Sequence, residues 1–215
     1  MIETAKLFDA VEVLTHSSIR IRGSRTVYFD PFRVKGDPAD ADLILVTHDH
    51  FDHFSPEDLA RVRKAGTVLV TPASTRKEAE KLGFSEYHTV APGDRLELMG
   101  MTVEAAASYN TNKPNHPKGN GWVGYILTMD GVRYYVAGDT DDTPEARAVR
   151  CDLALVPVGG TYTLNAAEAA RMVNAMAPRA AMPTHYGAIV GTAEDAETFR
   201  AGLDPAIACR VQMSY

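Results

Sequence analysis

Short apolar runs, most of them four to seven residues long, alternate with polar segments along the whole chain. Runs of this length bounded by Gly, Pro, Asn or Asp are typical of buried strands. Strands are therefore predicted over residues 11–14, 18–22, 27–30, 43–47, 68–71, 95–98, 101–106, 123–128, 132–137, 152–158, 180–184 and 208–213. Asp130-Gly131 separates two of them, and this dipeptide is the strongest short signal for a hairpin turn.

Helix signals occur between the strands. Ser55 is expected to cap a helix that begins with Pro56 and ends near Gly66. Thr143-Pro144-Glu145 is another helix start, and further helices are predicted over residues 74–81, 165–176 and 194–201. Strands mixed with helices in both halves favour an α/β fold in which two sheets pack face to face, with helices on the outer faces. No long linker interrupts this pattern, so a single domain over residues 1–215 is expected.

Composition restricts the function further. The chain has 215 residues, of which 45% are hydrophobic and 23% charged, as is usual for a globular protein. Its formal net charge of −6 disfavours a nucleic-acid partner, which requires clustered Lys and Arg. The sequence contains neither an apolar run of about 18 residues nor an N-terminal signal core, and its two cysteines lack metal-binding spacing. We therefore expect a cytoplasmic protein that acts on a small molecule and does not associate with a membrane. The sequence is compatible with a homo-oligomer.

The densest chemical signal is residues 47–53, which read Thr-His-Asp-His-Phe-Asp-His directly after an apolar run. Side chains two positions apart on an extended chain point the same way, so His48 and His50 can hold one cation together. Asp52 and His53 follow where the chain turns and can present ligands to a second cation. Imidazole and carboxylate are the ligand set that zinc and its neighbours prefer. The pattern predicts a metal site.

Three residues outside this segment are candidates to complete the site. His185 ends the apolar run 180–183, Asp139 follows a predicted strand, and His116 lies in the polar loop 109–121. Each also has an ordinary explanation: a buried core histidine, a turn aspartate and a solvated loop histidine. A two-metal site needs more ligands than residues 47–53 supply, which favours the joint interpretation.

Four motifs follow one another along the chain: HxHxDH, a lone His, Gly138-Asp139-Thr140 and Thr184-His185. In this order they resemble the metallo-β-lactamase superfamily, and most closely its small lactonase-like and uncharacterised hydrolase branch. The resemblance covers nearly the whole chain. It implies a four-layered αβ/βα sandwich, in which two mixed β-sheets carry helices on both outer faces. It also implies a binuclear centre of two divalent ions, zinc in the first place, with manganese, iron or nickel as alternatives.

The resemblance also assigns ligands. They are His48, His50 and His116 for the first metal, Asp52, His53 and His185 for the second metal, and Asp139 for both. Asp30 matches an acidic position whose role in the superfamily is structural. His88 is the rival of His116 for the first metal, but it precedes two predicted strands and fits the expected order less well.

Such a centre implies a hydrolase in which a hydroxide shared by the metals attacks a lactone, ester, amide or phosphoester. The substrate is expected to be anionic or to carry a carbonyl group, and Asp52 either transfers a proton or only ligates. The alternatives are a phosphodiesterase or nuclease of the same superfamily and a non-catalytic metal-binding or regulatory module. Several neighbours of the motifs serve either the pocket or the packing: His16, Tyr109, Asn110, Lys113, Lys118, Tyr162 and Tyr186.

Overall fold

The computed structural model describes residues 3–213, and its chain builds two facing β-sheets in succession. The first sheet has six strands in the order of the sequence. They are β1 (Val11–Thr15), β2 (Ser18–Arg22), β3 (Thr26–Phe29), β4 (Ala41–Leu45), β5 (Arg63–Pro72) and β6 (Glu86–Val90). The first three are antiparallel to one another and the last four are parallel, so the sheet is mixed.

The second sheet has seven strands and is also mixed. In spatial order they are β13 (Ala208–Cys209), β12 (Ala180–Thr184), β11 (Leu153–Pro157), β10 (Val132–Val136), β9 (Val123–Met129), β8 (Met101–Ala107) and β7 (Arg95–Leu98). The predicted hairpin joins β9 to β10, where Asp130 and Gly131 both have positive φ, as a two-residue turn of this kind requires.

Helices occupy the outer faces. They are α1 (Pro56–Val62), α2 (Arg76–Lys81), α3 (Pro144–Ala148), α4 (Ala166–Met176) and α5 (Ala193–Ala201), with short 3-10 turns at Thr4–Phe8, Ala73–Thr75 and Lys118–Asn120. The Ser55 hydroxyl accepts a hydrogen bond from the Asp58 amide, as the sequence predicts for the start of α1. Asn165 and Glu168 form a capping box at the start of α4.

Alternating burial along β4 shows how the layers are held. Leu43 and Leu45 pack into the core between the two sheets, whereas Ile44 packs on the other face with Leu59 of α1. Strand side chains alternate between faces, so one buried strand can serve two apolar layers. The second sheet does the same against α4 and α5, with Met172 among the buried residues. The predicted order of helices, sheet, sheet and helices is confirmed.

The structure differs from the predicted elements in three places: two predicted boundaries are wrong, and one strand was not predicted. The helix after Ser55 ends at Val62 instead of near Gly66, because the backbone becomes extended at Arg63 and continues into β5. β6 was not predicted, since it is an edge strand with mostly polar, partly exposed residues and lacks an apolar run. The last strand covers only Ala208–Cys209 rather than residues 208–213.

The two cysteines, Cys151 and Cys209, are both free thiols. Over residues 3–213 we find no helix that combines the length and the apolar character needed to cross a bilayer.

One glycine connects the fold to the region around Asp139. A Cβ on Gly124 of β9 would lie 2.5 Å from the Ala137 carbonyl oxygen and 2.8 Å from that of Val136. We predict that Gly124→Ala lowers the free energy of unfolding by about 1–3 kcal/mol, because backbone atoms of β10 must move to accept the methyl group. Urea denaturation measures the loss. The control is Gly119→Ala, whose Cβ would meet nothing within 4 Å; equal midpoints for the two variants would contradict this packing.

Candidate metal centre

Asp139 is the meeting point of the cluster. Its side chain is buried, and Oδ2 lies 3.2 Å from His116 Nε2 and 3.1 Å from His185 Nε2. Oδ1 lies 3.4 Å from His53 Nε2. The loops that follow β4, β8, β10 and β12 therefore converge on one carboxylate. In an open α/β sheet, sites form in this way at the carboxyl ends of strands.

On one side of Asp139, three imidazoles form a group. His48 Nε2 lies 3.1 Å from His50 Nδ1, and the ring centroids of His48 and His116 are 5.1 Å apart. Each of the three offers a nitrogen within 4.8 Å of the others, close enough for one ion. The Trp122 ring packs 4.9 Å from both His48 and His50, and its Nε1 donates to the Ser74 hydroxyl, so Trp122 supports these rings.

On the other side, Asp52 joins two further histidines. Its Oδ2 lies 3.5 Å from His53 Nε2 and 4.0 Å from His185 Nε2. All seven residues that the sequence analysis assigned as ligands are thus brought together, and their assignment to individual ions stays a prediction. His88 is not part of the cluster: it lies on β6 and pairs with Glu86 at 3.0 Å.

The buried donor atoms of this cluster fit a cation. Among the described residues, the Nε2 atoms of His53, His116 and His185 and the Oδ1 of Asp139 are buried without a hydrogen-bond partner. Leaving a buried polar atom unpaired costs about 1–3 kcal/mol, so four such atoms aimed at one another require an explanation. Nitrogen and carboxylate oxygen donors without thiolate suit zinc, manganese, iron or nickel.

A second layer of hydrogen bonds orients the rings. Asp30 accepts from the Thr47 amide at 2.7 Å and from His53 Nδ1 at 2.7 Å. Since a carboxylate only accepts, Nδ1 of His53 carries its proton and Nε2 is left for the cluster. The side-chain oxygen Oδ1 of Asn110 similarly lies 3.0 Å from His116 Nδ1. Metal-binding histidines generally have such partners, which fix the ring and its tautomer.

The charges of the cluster favour a cation in the same place. Burial lowers the pKa of His53, but the carboxylates of Asp139, Asp30 and Asp52 outweigh it and raise that pKa to about 9. Burial would raise the pKa of Asp139, yet the neighbouring His185 and His53 hold it well below its usual range. Three carboxylates around one buried imidazole make a strongly negative environment.

His16 is an additional member that the sequence left undecided. It is fully buried at the end of β1, and its Nε2 lies 3.3 Å from Asp52 Oδ2. Its ring packs 3.9 Å from that of His185, whose amide donates to the His16 carbonyl and so ties the two sheets together. Both residues have positive φ, a strained conformation that concentrates at functional sites. His16 therefore restrains both Asp52 and His185.

The loop lysines are committed to other partners. Lys113 Nζ lies 2.6 Å from Asp141, and Lys118 Nζ lies 2.6 Å from Glu145. Tyr109 donates its hydroxyl to the same Glu145. Tyr186 is buried among the apolar residues under α4 and α5. None of these four side chains lines the cleft that opens onto the cluster.

A cleft of about 260 Å³ opens onto the cluster. It is lined by His50, Phe51, Asp52, Asn115, His116, Asp139, Tyr162, His185 and Ile189. Sequence analysis did not identify Asn115, Phe51 or Ile189 as part of the site, although all three are within a few residues of predicted ligands.

Comparisons with known proteins agree on a family. Residues 10–185 match the model of the β-lactamase superfamily domain. A UPF0173 metal-dependent hydrolase of Thermococcus kodakarensis is 31% identical over 209 residues, which cover 88% of this chain and 90% of the relative. A crystal structure from Parabacteroides distasonis, provisionally assigned as a metal-dependent hydrolase, is 31% identical with a TM-score of 0.82 and covers 94% of this chain and 91% of that one.

A more distant structure shares the fold alone. CmlA, a diiron β-hydroxylase from Streptomyces venezuelae, is 17% identical with a TM-score of 0.74, over 95% of this chain and 52% of that one. The same scaffold thus accommodates chemistry other than hydrolysis.

We predict that Asp30→Asn weakens metal binding by about 10–100-fold, the usual effect of losing a partner behind a ligand. The carboxylate accepts from the Thr47 amide and from His53, whereas an amide would turn its NH₂ group toward one of these donors. Competition with a chelator measures the affinity. Asp37→Asn, at an exposed position, is the matched control. Equal affinities in the two variants would show that Asp30 does not support the site.

Proposed function

The chain belongs to the β-lactamase superfamily, among the UPF0173 metal-dependent hydrolases, and from this premise we propose that it hydrolyses a small carbonyl compound with a pair of divalent cations. The pair is the specific part of this proposal. It predicts that both halves of the chain contribute ligands to one reaction centre.

The observation that carries the proposal is the position of Asp139 between two groups of donors. Its Oδ2 faces one histidine of each group, His116 and His185, and its Oδ1 faces His53 of the second group. A carboxylate placed in this way is suited to bridging two ions. The seven donors leave coordination positions for water and substrate, as a catalytic site requires.

Two divalent ions held there would lower the pKa of water, orient the attack and polarise the carbonyl oxygen. The rest of the reaction depends on the chain itself. Oxygen from water bonds to the acyl carbon, the bond from that carbon to the leaving oxygen or nitrogen breaks, and a proton from water reaches the leaving atom. We assign this proton transfer to Asp52, whose carboxylate lines the cleft and is held in place by His16.

Metal-dependent turnover is the direct test. After removal of metal with a chelator, we expect no hydrolysis of lactones, p-nitrophenyl esters, amides or bis-p-nitrophenyl phosphate. Zinc or manganese should restore activity toward at least one of the carbonyl compounds, whereas activity toward the phosphate diester alone would contradict the proposal. His48→Ala should lower kcat/KM more than about 100-fold, because it removes a metal ligand. Loss of a residue that only hydrogen-bonds to a ligand usually costs about 10–100-fold.

His88→Ala is the control, since this histidine lies outside the cluster and pairs only with Glu86 among the described residues. It should retain the activity of the wild type. A protein that binds two ions per chain but hydrolyses none of these substrates would contradict the proposal and favour a regulatory metal-binding role.

A further inference from the structure

Three large apolar side chains stand exposed around the cleft: Phe51, Tyr162 and Ile189, here called the apolar rim. Their exposed fractions are 68%, 38% and 37%, the highest of any large hydrophobic residue in the described part of the chain. Single exposed apolar residues are ordinary on protein surfaces. All three of these, however, line the cleft that opens onto the metal cluster. Such clustering marks a surface that binds an apolar group.

The rim is built on the loops that also carry the cluster. Phe51 lies between His50 and Asp52, and Ile189 follows His185 by four residues. Phe32 packs edge-on against the Phe51 ring, with centroids 6.0 Å apart, and limits its movement on one side. The Tyr162 carbonyl accepts from the Asn110 side chain, the residue that also orients His116. The rim is thus placed at a fixed position relative to the reaction centre.

The side chains that line the cleft favour an uncharged substrate over an anionic one. Among its lining residues there is no Lys or Arg. Lys113 and Lys118, the nearby candidates in sequence, are paired with Asp141 and Glu145. Arg33 and Lys35 instead line a different hollow of about 450 Å³. A phosphate or carboxylate in the cleft would have only the metals as cationic partners.

We propose that the substrate is an uncharged ester or lactone that carries an aliphatic chain of several carbons. This inference rests on the proposed hydrolase function and adds the substrate class to it. The carbonyl group faces the buried cluster, and the chain lies between Phe51, Tyr162 and Ile189. Asn115 is exposed and also lines the cleft, so its side-chain amide can serve as a donor to an uncharged oxygen of the substrate. Of the two substrate classes expected from the sequence, this proposal selects the carbonyl compound over the anion.

The test uses the metal-loaded, full-length protein and p-nitrophenyl esters from acetate to octanoate, with bis-p-nitrophenyl phosphate as the anionic comparison. We expect kcat/KM to rise about two- to fourfold for each added methylene, the upper value corresponding to complete burial of that group. The phosphate diester should be the poorest substrate of the set.

Variants of the rim locate the preference. Phe51→Ser and Ile189→Ser should lower the octanoate-to-acetate ratio of kcat/KM by about fivefold or more each, while Phe51→Leu, which keeps an apolar side chain, should retain most of it. The number of bound metal ions should be unchanged in all three variants, which separates loss of the rim from loss of the fold.

Two outcomes would overturn the inference while leaving the hydrolase intact: a kcat/KM that does not depend on chain length, or a preference for the phosphate diester. A chain-length preference that survives both serine variants would also overturn it, because the apolar contact would then lie elsewhere. Absence of any turnover in the metal-loaded protein would instead reject the hydrolase function, and the inference with it.

Discussion

The convergence of five imidazoles and two carboxylates, nearly all of them buried, on a single cluster is the constraint on which the rest of the structure depends. Among the described residues, four of their inward atoms are buried without a hydrogen-bond partner, and the carboxylate of Asp139 is itself buried. Burying charge in this way is costly unless an opposite charge is close by. Bound cations meet that demand, while the two sheets hold the ligands in place through the Asp30, Asn110 and His16 contacts.

Much of the site can be predicted from sequence, because its ligands follow apolar runs. Strands that end at one edge bring the residues after them together, which is why His48, Asp139 and His185 meet although they are far apart in the chain. His116 was harder, since it depends on Asn110 across a loop without regular structure. His16 and the apolar rim depend on tertiary contacts that leave no local pattern. β6 was not predicted because it is a mostly polar strand whose backbone pairs with β5 without an apolar run in its sequence.

The loops at one end of the sheets have two roles in this account: binding metal and selecting the substrate. The loops after the strands carry the residues that could hold a metal, and the same loops carry the exposed apolar residues that we propose select the substrate. Loops can vary without altering the sheets, so one scaffold serves many reactions. CmlA, which shares the fold at low identity, illustrates that breadth. In the present chain, the features that we propose to select the substrate are the apolar rim and the lack of Lys and Arg among the residues that line the cleft.

The central claim is that residues 47–53 provide only part of a two-metal centre, and counting bound ions tests it most directly. The wild type, Asp139→Ala and His185→Ala would be loaded with zinc, freed of excess metal and analysed for zinc per chain, with circular dichroism to verify folding. The account predicts two ions for the wild type and one or none for each folded variant, despite an intact HxHxDH segment. Two tightly bound ions in both variants would contradict it.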